Sequence, residues 1–181
     1  MGALAAGIEH DWTEFWLEDA KEYIETPHFT DLGRMAAQIG KWEEVSEAIN
    51  RNTRKLAAYL ECQKSIAEVF WAESASYLPQ FSKIRNAQGG PGSIITIYLK
   101  HPEKMDAFYS ALSVAKGPSF GTDFTMACPF MYLAHYDMVS TEEGRDLVWS
   151  YGLDPDLIRI SVGAEPIEAI IATFEKALAA I

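Results

Sequence analysis

Arg159 is the one charged residue on a short apolar segment, and its chemistry is the most distinctive in the chain. Residues 157–162 read Leu-Ile-Arg-Ile-Ser-Val, and the alternation typical of a strand puts the isoleucines on one face and Arg159 on the other. A guanidinium group matches a carboxylate with two parallel hydrogen bonds, so Arg159 could hold a carboxylate ligand. The alternative is a solvated arginine, or one paired with one of the many acidic residues of the chain.

Other side chains with reactive or metal-binding groups do not form a clear site. The histidines are scattered and lack a zinc-binding spacing, although His28-Phe29 or His135-Tyr136 could line a pocket. The segment 89–92, Gly-Gly-Pro-Gly, precedes a predicted strand and lacks the Gly-Lys-Ser/Thr ending of a phosphate loop, so it is predicted to be a turn. Cys62 and Cys128 have no CxxC spacing and are predicted to be buried free thiols.

The segment after residue 162 must position Arg159. Pro166 suits the first turn of a helix, and one stripe of that helix is apolar: Ile167, Ile170, Ile171, Phe174, Leu178 and Ile181. Buried, these six side chains would contribute about 9–18 kcal/mol before conformational entropy is subtracted. The isoleucine face of the strand should therefore lie under this helix, with Arg159 on the opposite face.

The second half of the chain alternates strands with helices. Strands are predicted over 66–71, 93–99 and 157–162, with one or two more in 118–130 around Gly121. Helices are predicted over 75–85, where Pro79 breaks the helix, over 102–114, and over 141–151 with Thr141 as cap and Gly152 as stop. The predicted fold class is α/β, a small sheet with helices layered on one face.

The first 62 residues are predicted to be mostly helical. Residues 1–7 could be a strand, and a first helix begins at Asp11 or Thr13 and ends before Pro27. A helix over 31–62 would be about 45 Å long and would connect two parts of a larger body. The tryptophans of this region are predicted to lie in the core or at a subunit interface. The predicted domains are residues 1–62 and 63–181.

Composition limits the possible partners. The 181-residue chain has a net charge of −11 and no basic cluster, so nucleic acid and anionic membranes are not expected to bind. The sequence has no run of about 18 apolar residues, and its start does not resemble a signal peptide. A cytoplasmic protein is expected.

The end of the chain resembles a known family of enzymes. Residues 154–178 read DPDLIRISVGAEPIEAIIATFEKAL, and 89–99 read GGPGSIITIYL. These runs are similar to segments of the pyridoxal-phosphate-dependent enzymes of cysteine and methionine metabolism, which include cystathionine γ-synthase and the cystathionine lyases. The resemblance implies that Arg159 binds the α-carboxylate of an amino-acid substrate. It also implies that Ser119, at the place of a serine-leucine-glycine-glycine segment, helps to shape that pocket.

The resemblance implies the fold of the C-terminal domain of aspartate-aminotransferase-type enzymes, with residues 1–62 as a remnant of the cofactor domain plus a linking helix. It also implies pyridoxal phosphate as cofactor of the complete enzyme. The Schiff-base lysine of the family, in a Ser-x-Thr-Lys-like motif, has no counterpart here. Without it no internal aldimine can form. The chain alone is therefore expected to bind no cofactor and to be inactive.

Three hypotheses remain. The chain could be the C-terminal part of a transsulfuration-type lyase or transferase, as a fragment or a truncated gene product. It could be a non-catalytic module that binds an amino acid. It could also be an assembly module, since its first helices would expose apolar faces that favour homo-oligomers.

Overall fold

The computed structural model describes residues 11–25 and 27–181. The chain divides into two compact units, Met1–Trp42 and Glu43–Ile181. The strand considered for residues 1–7 lies outside the described residues. Within the described ranges, no helix combines the length and the apolar character needed to cross a bilayer.

The first unit contains helices α1 (Asp11–Lys21) and α2 (Phe29–Ile39). The Nδ1 atom of His28 accepts a hydrogen bond from the backbone N–H of Thr30 and so caps α2. Several large apolar side chains of the two helices are exposed: Phe15, Trp16, Leu32, Met35 and Ile39.

The helix predicted over residues 31–62 is two helices, so the prediction of a single one was wrong. Helix α2 ends at Ile39, and α3 (Trp42–Glu61) begins after a turn at Gly40 and Lys41. In this turn the N–H of Lys41 donates to the carbonyl of Gln38, three residues earlier, which makes a tighter turn than the four-residue spacing of an α-helix. The interruption falls at a glycine because glycine has the lowest helix propensity after proline.

The second unit is built on a five-stranded sheet in the order β1-β2-β5-β4-β3. The strands are β1 (Ile66–Phe70), β2 (Ile94–Leu99), β3 (Ala115–Lys116), β4 (Met126–Pro129) and β5 (Ile158–Ser161). Strands β3 and β4 are parallel, and the other neighbours are antiparallel. The strands predicted over 66–71, 93–99 and 157–162 are confirmed.

Six further helices complete this unit: α4 (Leu78–Ile84), α5 (Met105–Ala111), α6 (Phe130–Ala134), α7 (Tyr136–Val139), α8 (Glu142–Ser150) and α9 (Ile167–Leu178). Thr141 caps α8 as predicted, because its hydroxyl accepts from the N–H of Gly144 at 3.1 Å. Pro79 lies in the first turn of α4, so it begins this helix rather than breaking it.

Helices cover both faces of the sheet, whereas the sequence predicted one covered face. The larger core joins α3, α5 and α9 to the sheet through side chains such as Leu56, Phe108, Ile160 and Phe174. On the other face a smaller cluster joins α6, α7 and α8 to Leu157 and Tyr98. On this second face the sheet side of the cluster consists of Tyr98 on β2 and Leu157 directly before β5, and the helices supply the other apolar side chains.

Candidate functional site

Arg159 lies on the central strand β5, on the face opposite the large core. Its strand neighbours Ile158 and Ile160 are fully buried in that core, as the alternation predicted. Across the sheet Arg159 is directly opposite Thr96 on β2 and Cys128 on β4. Residues that face one another across strands project to the same side of the sheet, so a polar group lies on each flank of Arg159.

The Arg159 guanidinium is half-buried between two aromatic rings. Its Cζ atom is 4.6 Å from the centre of the Phe130 ring and 5.5 Å from that of Phe120. One Nη2–H donates to the carbonyl of Pro118. Among the described residues, no ion pair includes Arg159. The aromatic rings hold the side chain in place, and its charge lacks an acidic partner within the described part of the chain.

Arg159 opens into a cavity of about 1030 Å³ on the sheet face that carries α4, α6 and α8. The walls are mainly apolar and include Phe70, Phe81, Ile94, Met131, Val148 and Leu157. The polar groups in the lining are few: Tyr77, Gln80, Thr96, Tyr98, His135, Tyr151 and Arg159. An apolar pocket with a few convergent polar groups is the usual form of a small-molecule site.

Burial shapes the electrostatics of two groups near Arg159. It raises the pKa of the Tyr98 hydroxyl above the ordinary value, so Tyr98 is a neutral hydrogen-bonding group near neutral pH. Burial also raises the pKa of the Cys128 thiol, and the charge of Arg159 offsets this only in part. Cys128 is therefore a neutral thiol beside the guanidinium and leaves its positive charge uncompensated.

Ser119 lies in the loop between β3 and β4, directly after the carbonyl that binds Arg159. Its side chain is exposed and is not part of the cavity lining. The loop is tied to β5 at a second point, where the Gly121 N–H donates to the Ser161 hydroxyl at 3.2 Å. The structure thus brings the Ser119 loop to Arg159, but it does not place the Ser119 hydroxyl in the cavity.

A latch at the turn after β5 fixes the end of the same loop. The Glu165 carboxylate accepts from the Thr125 N–H at 2.6 Å and from the Thr125 hydroxyl at 3.0 Å. The Thr125 hydroxyl in turn accepts from the Gly163 N–H at 3.0 Å. Asn52 on α3 donates to the carbonyls of Gly163 and Glu165 at 2.9 and 2.8 Å. These four residues, the Glu165–Thr125 latch, connect the loop to α3.

Gly163 is required by the same contacts. A Cβ atom on this residue would lie 2.2 Å from the Glu165 Oε2 atom and 2.4 Å from the carbonyl carbon of Phe124. These distances are far below van der Waals contact, so a side chain here would displace the latch or the loop. Packing and hydrogen bonding at this turn therefore explain why Gly163 and Glu165 stand in the run Val-Gly-Ala-Glu at 162–165.

A network of charged groups supports the other side of the cavity. The Asp156 carboxylate binds Arg145 on α8 and accepts from the Tyr132 hydroxyl at 2.7 Å. Asp154 is only 3% exposed, and its carboxylate accepts from the Asp156 N–H at 2.8 Å. Burial, with the nearby Asp156 charge, raises the pKa of the Asp154 carboxyl. This network holds the segment before β5 against α6 and α8.

Several cavity residues did not stand out in the sequence. Thr96 and Tyr98 could have been found, because the alternation of 94–99 puts them on the face opposite Ile95 and Ile97. His135 does line the cavity, which was one of the alternatives considered for it, whereas Tyr136 is not in the lining.

The structure shows the exposure of the two cysteines. Cys128 is buried, but Cys62 is exposed. The prediction was wrong for Cys62 because α3 ends at Glu61 and Cys62 lies in the exposed turn that follows, beyond the buried stripe that Leu56, Ala57 and Leu60 form. Within the described residues, no three or more His, Cys, Asp or Glu side chains are grouped to bind a metal ion.

Most of the chain matches a known protein family. The family model described as Cys/Met metabolism PLP-dependent enzyme matches residues 46–179. The chain belongs to this family. The match includes the sheet, the cavity and Arg159. This family uses pyridoxal phosphate.

Individual proteins are similar to the chain over part of their own length. The chain is 36% identical over 177 residues to L-2-amino-4-chloropent-4-enoate dechlorinase/desaturase of Streptantibioticus cattleyicolor, covering 98% of this chain and 35% of that protein. It is 34% identical over 134 residues to cystathionine gamma-synthase of Neurospora crassa, covering 73% of this chain and 20% of that protein. The chain thus spans about a third or less of these relatives.

A solved structure agrees with the fold. Cystathionine gamma-lyase from Lactobacillus plantarum, complexed with L-serine, superposes with a TM-score of 0.63 at 21% identity. The superposition covers 77% of this chain and 35% of that one. The fold class predicted from the sequence is confirmed.

Pyridoxal phosphate requires particular partners in its binding site. The cofactor needs a lysine amine for its Schiff base and a partner for the pyridine nitrogen. The cavity lining within the described residues has one cation, Arg159, and no lysine or carboxylate. These residues fit a carboxylate-bearing ligand and do not by themselves fit the cofactor.

Proposed function

We propose that this chain is the C-terminal part of a pyridoxal-phosphate-dependent enzyme of the transsulfuration type, acting on amino acids in the cytoplasm. In this proposal residues 63–181 form the C-terminal domain. Residues 1–62 are the end of the cofactor domain and the linking helix. Arg159 holds the α-carboxylate of the substrate, and Ser119 shapes the pocket at its edge.

One observation carries the proposal. Arg159 is a half-buried cation without an acidic partner among the described residues, held between the rings of Phe120 and Phe130 at the wall of a cavity. A structural arginine in this position would be expected to bind a carboxylate of the chain, since an unpaired buried charge is costly. A ligand carboxylate would supply that partner in a two-hydrogen-bond geometry.

The names of the relatives support the same class of ligand. One relative is named for an amino acid, L-2-amino-4-chloropent-4-enoate, and another for the synthesis of cystathionine. The solved cystathionine gamma-lyase is described as a complex with L-serine. Each of these compounds carries an α-carboxylate, the group that Arg159 is proposed to bind.

The test is isothermal titration calorimetry of the 181-residue chain with L-methionine, L-cysteine, L-homocysteine and L-cystathionine. At least one should bind, and Arg159→Ala should weaken it about tenfold or more, since a hydrogen bond to a charged group contributes about 1.5–3 kcal/mol. The control Arg51→Ala removes an exposed arginine that pairs with Glu47 on the same helix. It should leave the affinity unchanged, because it alters the net charge equally but lies outside the cavity. Binding by none of the four, or equal binding by Arg159→Ala, contradicts the proposal.

We also infer that the chain by itself lacks the family reaction, because a Schiff-base lysine is not among the cavity residues described. Mixing the purified chain with pyridoxal phosphate and borohydride should give no stoichiometric adduct. Mass spectrometry measures this directly, and one adduct per chain at a single lysine would refute the inference.

A second candidate function is assembly. Large apolar side chains of α1 and α2, among them Phe15, Trp16 and Met35, are exposed. Exposed apolar groups at such density favour self-association. Sedimentation velocity at rising concentration should then show homo-oligomers, and Phe15→Ser with Trp16→Ser should shift them to monomer. A monomer at every concentration excludes this role.

A further inference from the structure

We propose that the ligand of Arg159 is an amino acid with an uncharged, apolar side chain, which lies along the cavity while its carboxylate binds Arg159. This inference rests on the proposed function for the carboxylate. It adds the substrate class, which the carboxylate contact does not specify.

The charge of the cavity lining favours a ligand with an uncharged side chain. Arg159 is the only ionic side chain among the described residues that line the cavity. Glu73, which follows the lining residue Ala72 in sequence, is paired with Arg54 on α3 at 2.7 Å and with Arg85, directly after α4, at 2.7 Å. A second charge at the far end of a ligand would lose part of its hydration without gaining a carboxylate or a lysine of the described lining as a partner of opposite charge. The cavity should therefore discriminate against a side chain that ends in an ammonium or carboxylate.

The apolar walls of the cavity favour a ligand with an apolar side chain. The apolar lining includes Phe70, Phe81 and Ile94 as well as Met131, Val148 and Leu157. Val148 and Leu157 are almost fully buried, so this part of the wall is fixed by the smaller core. Each methylene that a ligand buries against such walls should raise affinity about fourfold.

The volume of the cavity leaves room for a long side chain. The cavity volume of about 1030 Å³ is at the upper end of small-molecule sites. A side chain longer than that of alanine is therefore not excluded by volume, and the gain per methylene should continue along a series of straight chains.

The experiment measures the affinity of the 181-residue chain for L-alanine, L-2-aminobutyrate, L-norvaline and L-norleucine by calorimetry. Affinity should rise about fourfold at each step. L-Ornithine is the matched probe, because it replaces the terminal methyl of norleucine with an ammonium group at the same chain length. It should bind at least about tenfold more weakly than norleucine.

Two leucines of similar exposure provide a matched pair of variants. Leu153 lines the cavity and is 42% exposed, whereas Leu147 is 46% exposed and is not in the lining. Leu153→Gln should weaken norleucine binding by about threefold or more and leave alanine binding unchanged. Leu147→Gln should change neither affinity.

The outcomes separate this inference from the proposed function. Arg159-dependent binding that is flat along the series, or equal for ornithine and norleucine, overturns the inference and leaves the carboxylate site standing. A rising series that Arg159→Ala does not weaken overturns the proposed carboxylate contact but supports an apolar site. Absence of binding by the whole series overturns the inference, and it overturns the proposed function as well only if L-methionine, L-cysteine, L-homocysteine and L-cystathionine also fail to bind.

Discussion

The Glu165–Thr125 latch gives a quantitative prediction about stability. Thr125→Val removes the hydroxyl that donates to Glu165 and accepts from the Gly163 N–H, with little change in volume. Thr125 is 2% exposed, so the Gly163 N–H is left unpaired at a cost of about 1–3 kcal/mol. With the lost bond to the carboxylate, the free energy of unfolding should fall by about 2–4 kcal/mol. Glu165→Ala should lower it by about 2–3 kcal/mol, because it leaves two donors of Thr125 without an acceptor.

The two changes share one hydrogen bond, so they should not be additive. Urea unfolding followed by circular dichroism, on the single and double variants, should give a coupling energy of about 1–2 kcal/mol. Thr173→Val is the matched control, since the Thr173 hydroxyl bonds only to the Ile170 carbonyl in its own helix. It should change stability by no more than about 0.5 kcal/mol. Additivity of Thr125→Val and Glu165→Ala within about 0.5 kcal/mol would refute the latch.

Three other predictions test the surroundings of the site. Burial raises the pKa of the Asp154 carboxyl, so ionisation of this group destabilises the folded state. Asp154→Asn should therefore raise the urea midpoint of unfolding near neutral pH. The gain should vanish in acid, where Asp154 is protonated, and a gain that persists there would contradict the reasoning. A Cβ atom on Gly90 would lie 2.2 Å from the Asn50 Cγ atom, so Gly90→Ala should lower Tm. Adding Asn50→Ala to this variant should restore part of the loss. Gly90→Ala alone with the Tm of the wild type would refute the clash. In the native protein a disulfide reagent should react with the exposed thiol of Cys62, whereas the buried thiol of Cys128 should react only in urea. Two thiols that react rapidly in the native protein would show that Cys128 is accessible.

Periodic patterns in the sequence were reliable for the strands and for the last helix. The segment 157–162 predicts a strand with Arg159 opposite the isoleucines, and β5 has this arrangement. The stripe that includes Ile170 and Phe174 predicts the buried face of α9, and both residues are in the core. These patterns succeed because burial on one side of an element imposes its period directly on the sequence.

Predictions of where helices begin and end were less reliable. Gly40 interrupts the helix expected over 31–62, and Pro79 begins a helix that it was expected to break. In both cases the residue type limits the backbone but does not decide which of two compatible structures forms.

The sequence by itself determined that Arg159 lies on a strand away from the last helix, and its resemblance to a family of enzymes indicated a carboxylate as partner. The tertiary structure decided what surrounds Arg159. The rings of Phe120 and Phe130, the Pro118 carbonyl and the apolar walls come from segments separated in the chain by loops. Their convergence depends on strand order and on the helices of the second face, which leave no periodic trace in any one segment.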